Sequence, residues 1–129
     1  IVPKILITTS SFNVDAAKAL NRLKGAGFEI VTNPHGRKLT ESEVSALLDD
    51  EVVGMIAGVE QLTRQVFFGT RALKVISRCG IGMDSVDLQA AKERGIDVFN
   101  TPDAPSIAVA ELTLGLILDV LRKISQADR

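Results

Sequence analysis

The sequence has 129 residues, one domain's worth, with 46% hydrophobic and 24% charged positions; this excludes general disorder and a need for disulfide staples. With 15 Lys and Arg against 16 Asp and Glu, there is no basic field to make nucleic acid or an anionic membrane the main partner. Aromatic residues are only 4%, all of them Phe, which leaves stacking on bases, sugars or a flavin poorly supported.

Hydrophobic periodicity alternates regularly along the chain. Lys4–Thr8 reads as a short buried strand, a continuous β-branched run between polar residues. Asp15–Lys24 then sets Ala16, Ala19, Leu20 and Leu23 at helical spacing, with Gly25 and Gly27 as stop signals. Phe28–Thr32 is the second strand, closed by Asn33-Pro34. Thr40 opens the next helix with Glu43 three residues on, a capping box in which each side chain bonds the other's free backbone N–H. Val44, Leu47 and Leu48 form its buried stripe. Val52–Ala57 is a third strand, Thr63–Phe68 a short helix and Leu73–Ser77 a fourth strand. A helix from Asp87 to Arg94 ends at Gly95, Ile96–Phe99 is the fifth strand, and a last helix is predicted over Ser106–Ala127.

Strands alternating with helices imply parallel pairing, because each return to the same end of the sheet needs a crossover. Right-handed crossovers give an α/β, doubly wound, five-stranded parallel sheet, most simply flavodoxin-like with strand order 2-1-3-4-5. The last helix exceeds what such a sheet needs. At about 1.5 Å per residue it would span roughly 33 Å, against a radius of gyration near 14 Å for a compact chain of this length. Leu112, Leu114, Leu116, Ile117, Leu118, Val120 and Leu121 also make it apolar on more than one face, so something beyond this sheet, a further domain or a partner subunit, is expected to cover it.

The single cysteine, Cys79, rules out an intrachain disulfide and fits a reducing cytoplasm. The N-terminal residues show neither a long apolar core nor a small-residue cleavage site. Leu112–Leu121, broken by Thr113, Gly115 and Asp119, falls short of the roughly 20 apolar residues that cross a bilayer. A soluble cytoplasmic protein is the expectation.

Ligands of open parallel sheets bind beyond the carboxyl ends of the strands. There the segment Arg78-Cys79-Gly80-Ile81-Gly82-Met83-Asp84 stands out. Two glycines one residue apart let the backbone approach a ligand and turn successive N–H groups into one anion-binding concavity, and Arg78 adds charge. A plain tight turn is the competing reading. The segment is not a dinucleotide fingerprint, since the third glycine of G-x-G-x-x-G would fall on Ser85. His35, the one histidine, reads as part of a solvated basic loop, Cys79 as a buried small hydrophobe, and Thr8, Thr9, Ser10 and Ser11 as turn and capping hydroxyls. No His or Cys cluster offers a metal site.

Leu73–Arg129, with its R-x-G-x-G-x-D, N-T-P and V-A-E-L-T runs, together with Val53–Thr63 (VGMIAGVEQLT), resembles the substrate domain of D-isomer-specific 2-hydroxyacid dehydrogenases, nearest the phosphoglycerate dehydrogenase-like branch. The resemblance covers essentially the whole chain. It implies a substrate-binding domain over residues 1–105 and an interdomain helix over 106–129, leading to a separate cofactor-binding domain. It further implies that the Ile81 and Gly82 N–H groups hold the substrate carboxylate, that Gly58 and Val59 border the substrate, and that Ile81 lies close to the cofactor, NAD. Hydride would pass between nicotinamide and C2 of a small 2-hydroxy or 2-keto acid. The family's catalytic arginine, glutamate and histidine would lie beyond Arg129, and a homodimer is implied for the full-length protein. Two positions depart from the branch: Pro105 stands where an asparagine often follows the N-T-P turn, and Gly58 where several phosphoglycerate dehydrogenases carry arginine. Both weigh against a phosphorylated substrate.

A different class of reading is a stand-alone flavodoxin-like module that binds carboxylates or mediates oligomerisation without catalysis. Thr8-Thr9-Ser10 and Gly58 weigh against a phosphoryl-accepting receiver, because they occupy the positions where its acidic residues would be needed.

Overall fold

The computed structural model describes residues 2–10 and 18–127. Its five strands are β1 (Lys4–Ile7), β2 (Glu29–Thr32), β3 (Val52–Ala57), β4 (Val75–Arg78) and β5 (Asp97–Phe99). They form one parallel sheet in the order β2-β1-β3-β4-β5, as expected. Between them run α1 (Lys18–Gly25), α2 (Glu41–Leu47), α3 (Arg64–Gly69) and α4 (Leu88–Glu93), followed by α5 (Ser106–Arg122) and α6 (Ile124–Ala127). The expected beginning of the first helix, with Ala16, lies outside the described residues.

The capping box is present. The Thr40 N–H donates to Glu43 Oε2 at 2.8 Å, and the Thr40 hydroxyl accepts from the Glu43 N–H. Thr63 stands at the α3 N-cap but does not cap with its side chain; its hydroxyl donates to Glu41 and so ties α3 to α2. Asp87 caps α4 by accepting the Ala90 N–H at 2.9 Å.

The two faces of the sheet are covered unequally. Leu6, Met55 and Ile76 lie at corresponding register positions and are buried under Val44, Val66, Phe67, Ala90 and Ala91 of α2, α3 and α4. The opposite face carries Ile5, Ile7, Val75 and Phe99. Toward β2 it packs near α1, where Leu20 is buried, but Val75 is 36% and Phe99 59% exposed. Alternation along each strand explains the split, because successive side chains point to opposite faces.

The last helix departs from expectation. It is not continuous to Ala127 but stops at Arg122, because Lys123 turns into the left-handed region at φ 54°. Asp119 stabilises the break, accepting the Ser125 N–H at 2.7 Å and its hydroxyl at 2.9 Å. What remains, at about 1.5 Å per residue, spans roughly 26 Å rather than 33 Å. The expectation that its own sheet cannot cover it holds, since α5 buries none of its residues.

Candidate functional site

The carboxyl ends of β1, β3 and β4 meet at one edge of the sheet, and two hollows open there. The first, about 100 Å³, is lined by Thr8, Thr9 and Ser10 after β1, by Gly58, Val59 and Glu60 after β3, and by Lys38 and Cys79. The second, about 240 Å³, shares Val59 and adds Gln61, Arg78, Gly82, Asp84 and Ser85. The two walls are pinned together where the Leu62 N–H donates to Ser85 O at 2.8 Å and the Asp87 N–H to Leu62 O at 2.9 Å.

The loop after β4 is held from behind by the N-T-P turn. Gly80 donates its N–H to the Thr101 hydroxyl at 2.8 Å, its carbonyl accepts the Thr101 N–H at 3.0 Å, and Asn100 Nδ2 donates to Ile81 O at 2.8 Å. The Gly80 N–H is therefore consumed inside the loop. The Ile81 and Gly82 N–H groups have no acceptor among the described residues, and Gly82 lines the larger hollow. Two adjacent exposed amides with no partner inside the fold are free to donate to one anion in place of water. Ile81 is 47% exposed beside them.

Arg78 folds back over this loop. Its Nη1 donates to Cys79 O at 2.6 Å, while Nε is sealed from solvent without a partner. Arg78 lines the larger hollow, which brings a positive residue to its wall. Cys79 is exposed and lines the smaller hollow, which overturns its reading as a buried hydrophobe. It follows the last residue of β4, where the chain leaves the sheet for the crevice. His35 lies in an exposed turn 3.7 Å from Glu43, away from both hollows.

Glu60 is the residue that sequence reasoning missed. It is 2% exposed, and its Oε1 accepts the Gly58 N–H at 3.0 Å and the Thr8 hydroxyl. This joins the ends of β1 and β3. A side chain at Gly58 would be crowded: a Cβ there would meet Glu60 Oε2 at 3.0 Å and the Thr9 Cα at 3.2 Å. The only sequence signal was a carboxylate directly following the apolar Val52–Val59 run, which says nothing of its burial. Among the described residues no group of three His, Cys, Asp or Glu gathers to hold a metal, and no helix is long and apolar enough to cross a membrane.

Comparison with known proteins agrees with this fold. The profile of the D-isomer specific 2-hydroxyacid dehydrogenase catalytic domain matches residues 5–126. D-3-phosphoglycerate dehydrogenase of Methanocaldococcus jannaschii is 41% identical over 124 residues, which is 96% of this chain and 22% of that protein. Among solved structures, the TT0316 protein of Thermus thermophilus superposes with a TM-score of 0.84 at 35% identity, over 97% of this chain and 39% of that one. The NAD+-bound 3-phosphoglycerate dehydrogenase of Entamoeba histolytica gives 0.78 at 27% identity, over 92% and 39%. The chain thus spans about a fifth to two fifths of the length of these relatives. By profile, by sequence and by fold, the chain belongs to the family of D-isomer-specific 2-hydroxyacid dehydrogenases.

Proposed function

We propose that this chain is the substrate-holding part of an NAD-dependent dehydrogenase that acts on a small D-2-hydroxy acid, within the phosphoglycerate dehydrogenase-like branch. The observation that carries the proposal is the pair of N–H groups at Ile81 and Gly82 without an acceptor among the described residues, on a loop whose Gly82 lines a crevice at the carboxyl ends of β3 and β4. They would hold the substrate carboxylate, with Gly80 setting the loop's path and Arg78 adding positive charge at the rim. Gly58 and Val59 would form the opposite wall. Fixing the carboxylate at two points orients C2 and removes rotational freedom before the reaction, a large part of what positioning contributes to catalysis.

The nicotinamide would exchange a hydride with C2. This chain fits only one edge of that cofactor: Ile81 offers an exposed apolar side chain beside the carboxylate amides, but the Gly80–Gly82 turn lacks the third glycine of a dinucleotide fingerprint, with Ser85 in its place. Residues 1–105 would then be the substrate-binding domain and residues 106–129 the passage into a cofactor-binding domain that also supplies the catalytic arginine, glutamate and histidine. The fully exposed apolar α5 supports this division, as does the fraction of each relative that the chain covers. The setting would be cytoplasmic, with a homodimer for the full-length protein and no nucleic-acid or membrane partner.

Spectrophotometric assay of NADH consumption by the full-length protein with a panel of 2-oxo acids tests this reading, run beside the 129-residue chain alone. Turnover by the full-length protein and none by the isolated chain is the expected result. Turnover by the isolated chain, or none by the full-length protein, overturns it.

A further inference from the structure

The crevice contains a charged group that carboxylate recognition at Ile81 and Gly82 leaves unexplained. Glu60 is 2% exposed and is held at one oxygen only, Oε1, by the Gly58 N–H and the Thr8 hydroxyl. Its other oxygen, Oε2, has no hydrogen-bond partner among the described residues and is not among the atoms sealed from solvent. Glu60 lines the smaller hollow, and Val59 stands in the walls of both hollows. A substrate whose carboxylate rests on the Ile81 and Gly82 amides would therefore reach past Val59 toward Glu60 with the carbon beyond C2.

We infer that Glu60 is the specificity-determining residue of this crevice: it accepts a hydrogen bond from a hydroxyl on C3 of the substrate and excludes a phosphate ester at that position. This rests on the dehydrogenase reading above and narrows it. A carboxylate oxygen carries lone pairs and no proton, so its partner must be a donor. A phosphate monoester offers mainly acceptors and a charge near −2, which a buried negative group repels with little help from solvent. Lys38 lines the same hollow from an exposed position and makes no ion pair with Glu60 among the described residues, so water screens its charge far more than that of the buried carboxylate. A neutral hydroxyl satisfies Oε2 without bringing a second negative charge beside it.

The test uses the full-length enzyme with NADH and three substrates: hydroxypyruvate, 3-phosphohydroxypyruvate and pyruvate. The wild type should show kcat/KM for hydroxypyruvate roughly 100-fold above that for the phosphate ester, and at least about tenfold above that for pyruvate, which lacks the donor. Glu60→Gln keeps the size of the side chain but turns an amide N–H toward the crevice. It should narrow the preference for hydroxypyruvate over the phosphate ester by roughly tenfold or more, a change in ratio that a purely structural defect would not produce. Should that variant fail to fold, the wild-type ratios alone decide. A wild type that reduces the phosphate ester as well as hydroxypyruvate, or a folded Glu60→Gln enzyme with an unchanged ratio, overturns the assignment. Failure of the full-length protein to reduce any of the three overturns the dehydrogenase reading and this assignment with it.

Discussion

The guanidinium of Arg78 lies in the space that a side chain at position 80 would need: a Cβ on Gly80 would fall 1.5 Å from Arg78 Nη1. Gly80 also has φ +139°, a conformation that L residues rarely adopt. Two separate penalties therefore meet at one residue. Gly80→Ala should destabilise the fold by about 1–3 kcal/mol, measured from the urea unfolding midpoint. In an Arg78→Ala background the steric part disappears and the backbone part stays, so the double mutant should be more stable than the two single effects predict. Simple additivity would mean that Arg78 does not sit over the loop in solution.

A second close approach lies in the middle of the sheet. A Cβ on Gly54 in β3 would meet Ile5 Cδ1 of β1 at 2.7 Å and Val75 Cγ1 of β4 at 3.2 Å. Gly54→Ala overpacks this layer and should cost about 1–3 kcal/mol. Ile5→Val deletes the atom nearest the new methyl group. Combined with Gly54→Ala it should cost less than the sum of the single substitutions, because the neighbours couple. Calorimetric unfolding of the three variants checks this, and a full sum would place the obstruction on Val75 instead.

Acid should weaken the start of α2 before it reaches the core. Arg37 binds Glu43 through both terminal guanidinium nitrogens, at 3.0 Å and 2.7 Å, and the Thr40 N–H adds a third donor at 2.8 Å. Chiefly through Arg37, and next through Thr40, these hold the Glu43 carboxyl down from the usual 4.5 to about 2. A carboxyl lowered on folding stabilises the native state above its unfolded value, and that contribution is lost as pH falls through the folded value. The stability difference between wild type and Glu43→Gln should be constant above about pH 4.5 and shrink toward pH 2. A difference that persists unchanged at pH 2 would contradict the arrangement. Thr40→Ala removes the other half of the box and should cost about 1 kcal/mol at neutral pH.

The parts of this protein that were legible in its sequence are those set by neighbours along the chain. Buried parallel strands appear as unbroken apolar runs, so Val52–Ala57 was placed to the residue and the strand order followed from the βα alternation. Thr40 and Glu43 announce a cap because they stand three residues apart. Glu60 was not legible, because its burial depends on Thr8, 52 residues away, and on a glycine that leaves room for it. Cys79 was misread for a related reason: an apolar residue just past a strand reads as core unless one knows that the strand ends at a crevice. The end of α5 was missed because no glycine or proline marks it. Asp119 and Ser125 make the break through a contact six residues long, and Lys123 adopts a conformation its type seldom takes.

The apolar surface of α5 provides the sharpest test of whether the helix belongs to this sheet. Leu116, Ile117, Val120 and Leu121, with Thr113, surround an open apolar hollow of about 390 Å³, and Val120 and Leu121 are 75% and 72% exposed. A patch of this kind on a lone chain drives association, since removing it from water is favourable and none of the described residues does so. Ile117→Lys together with Leu121→Lys places two charges four residues apart on one face of the helix. The paired substitution should lower self-association of the 129-residue chain in sedimentation equilibrium. It should also leave the urea unfolding free energy of the sheet within about ±0.5 kcal/mol, as for surface positions that touch no core. A loss of several kcal/mol would mean that α5 folds back onto the exposed Val75 and Phe99 face of its own sheet, and the helix would then close this domain rather than lead out of it.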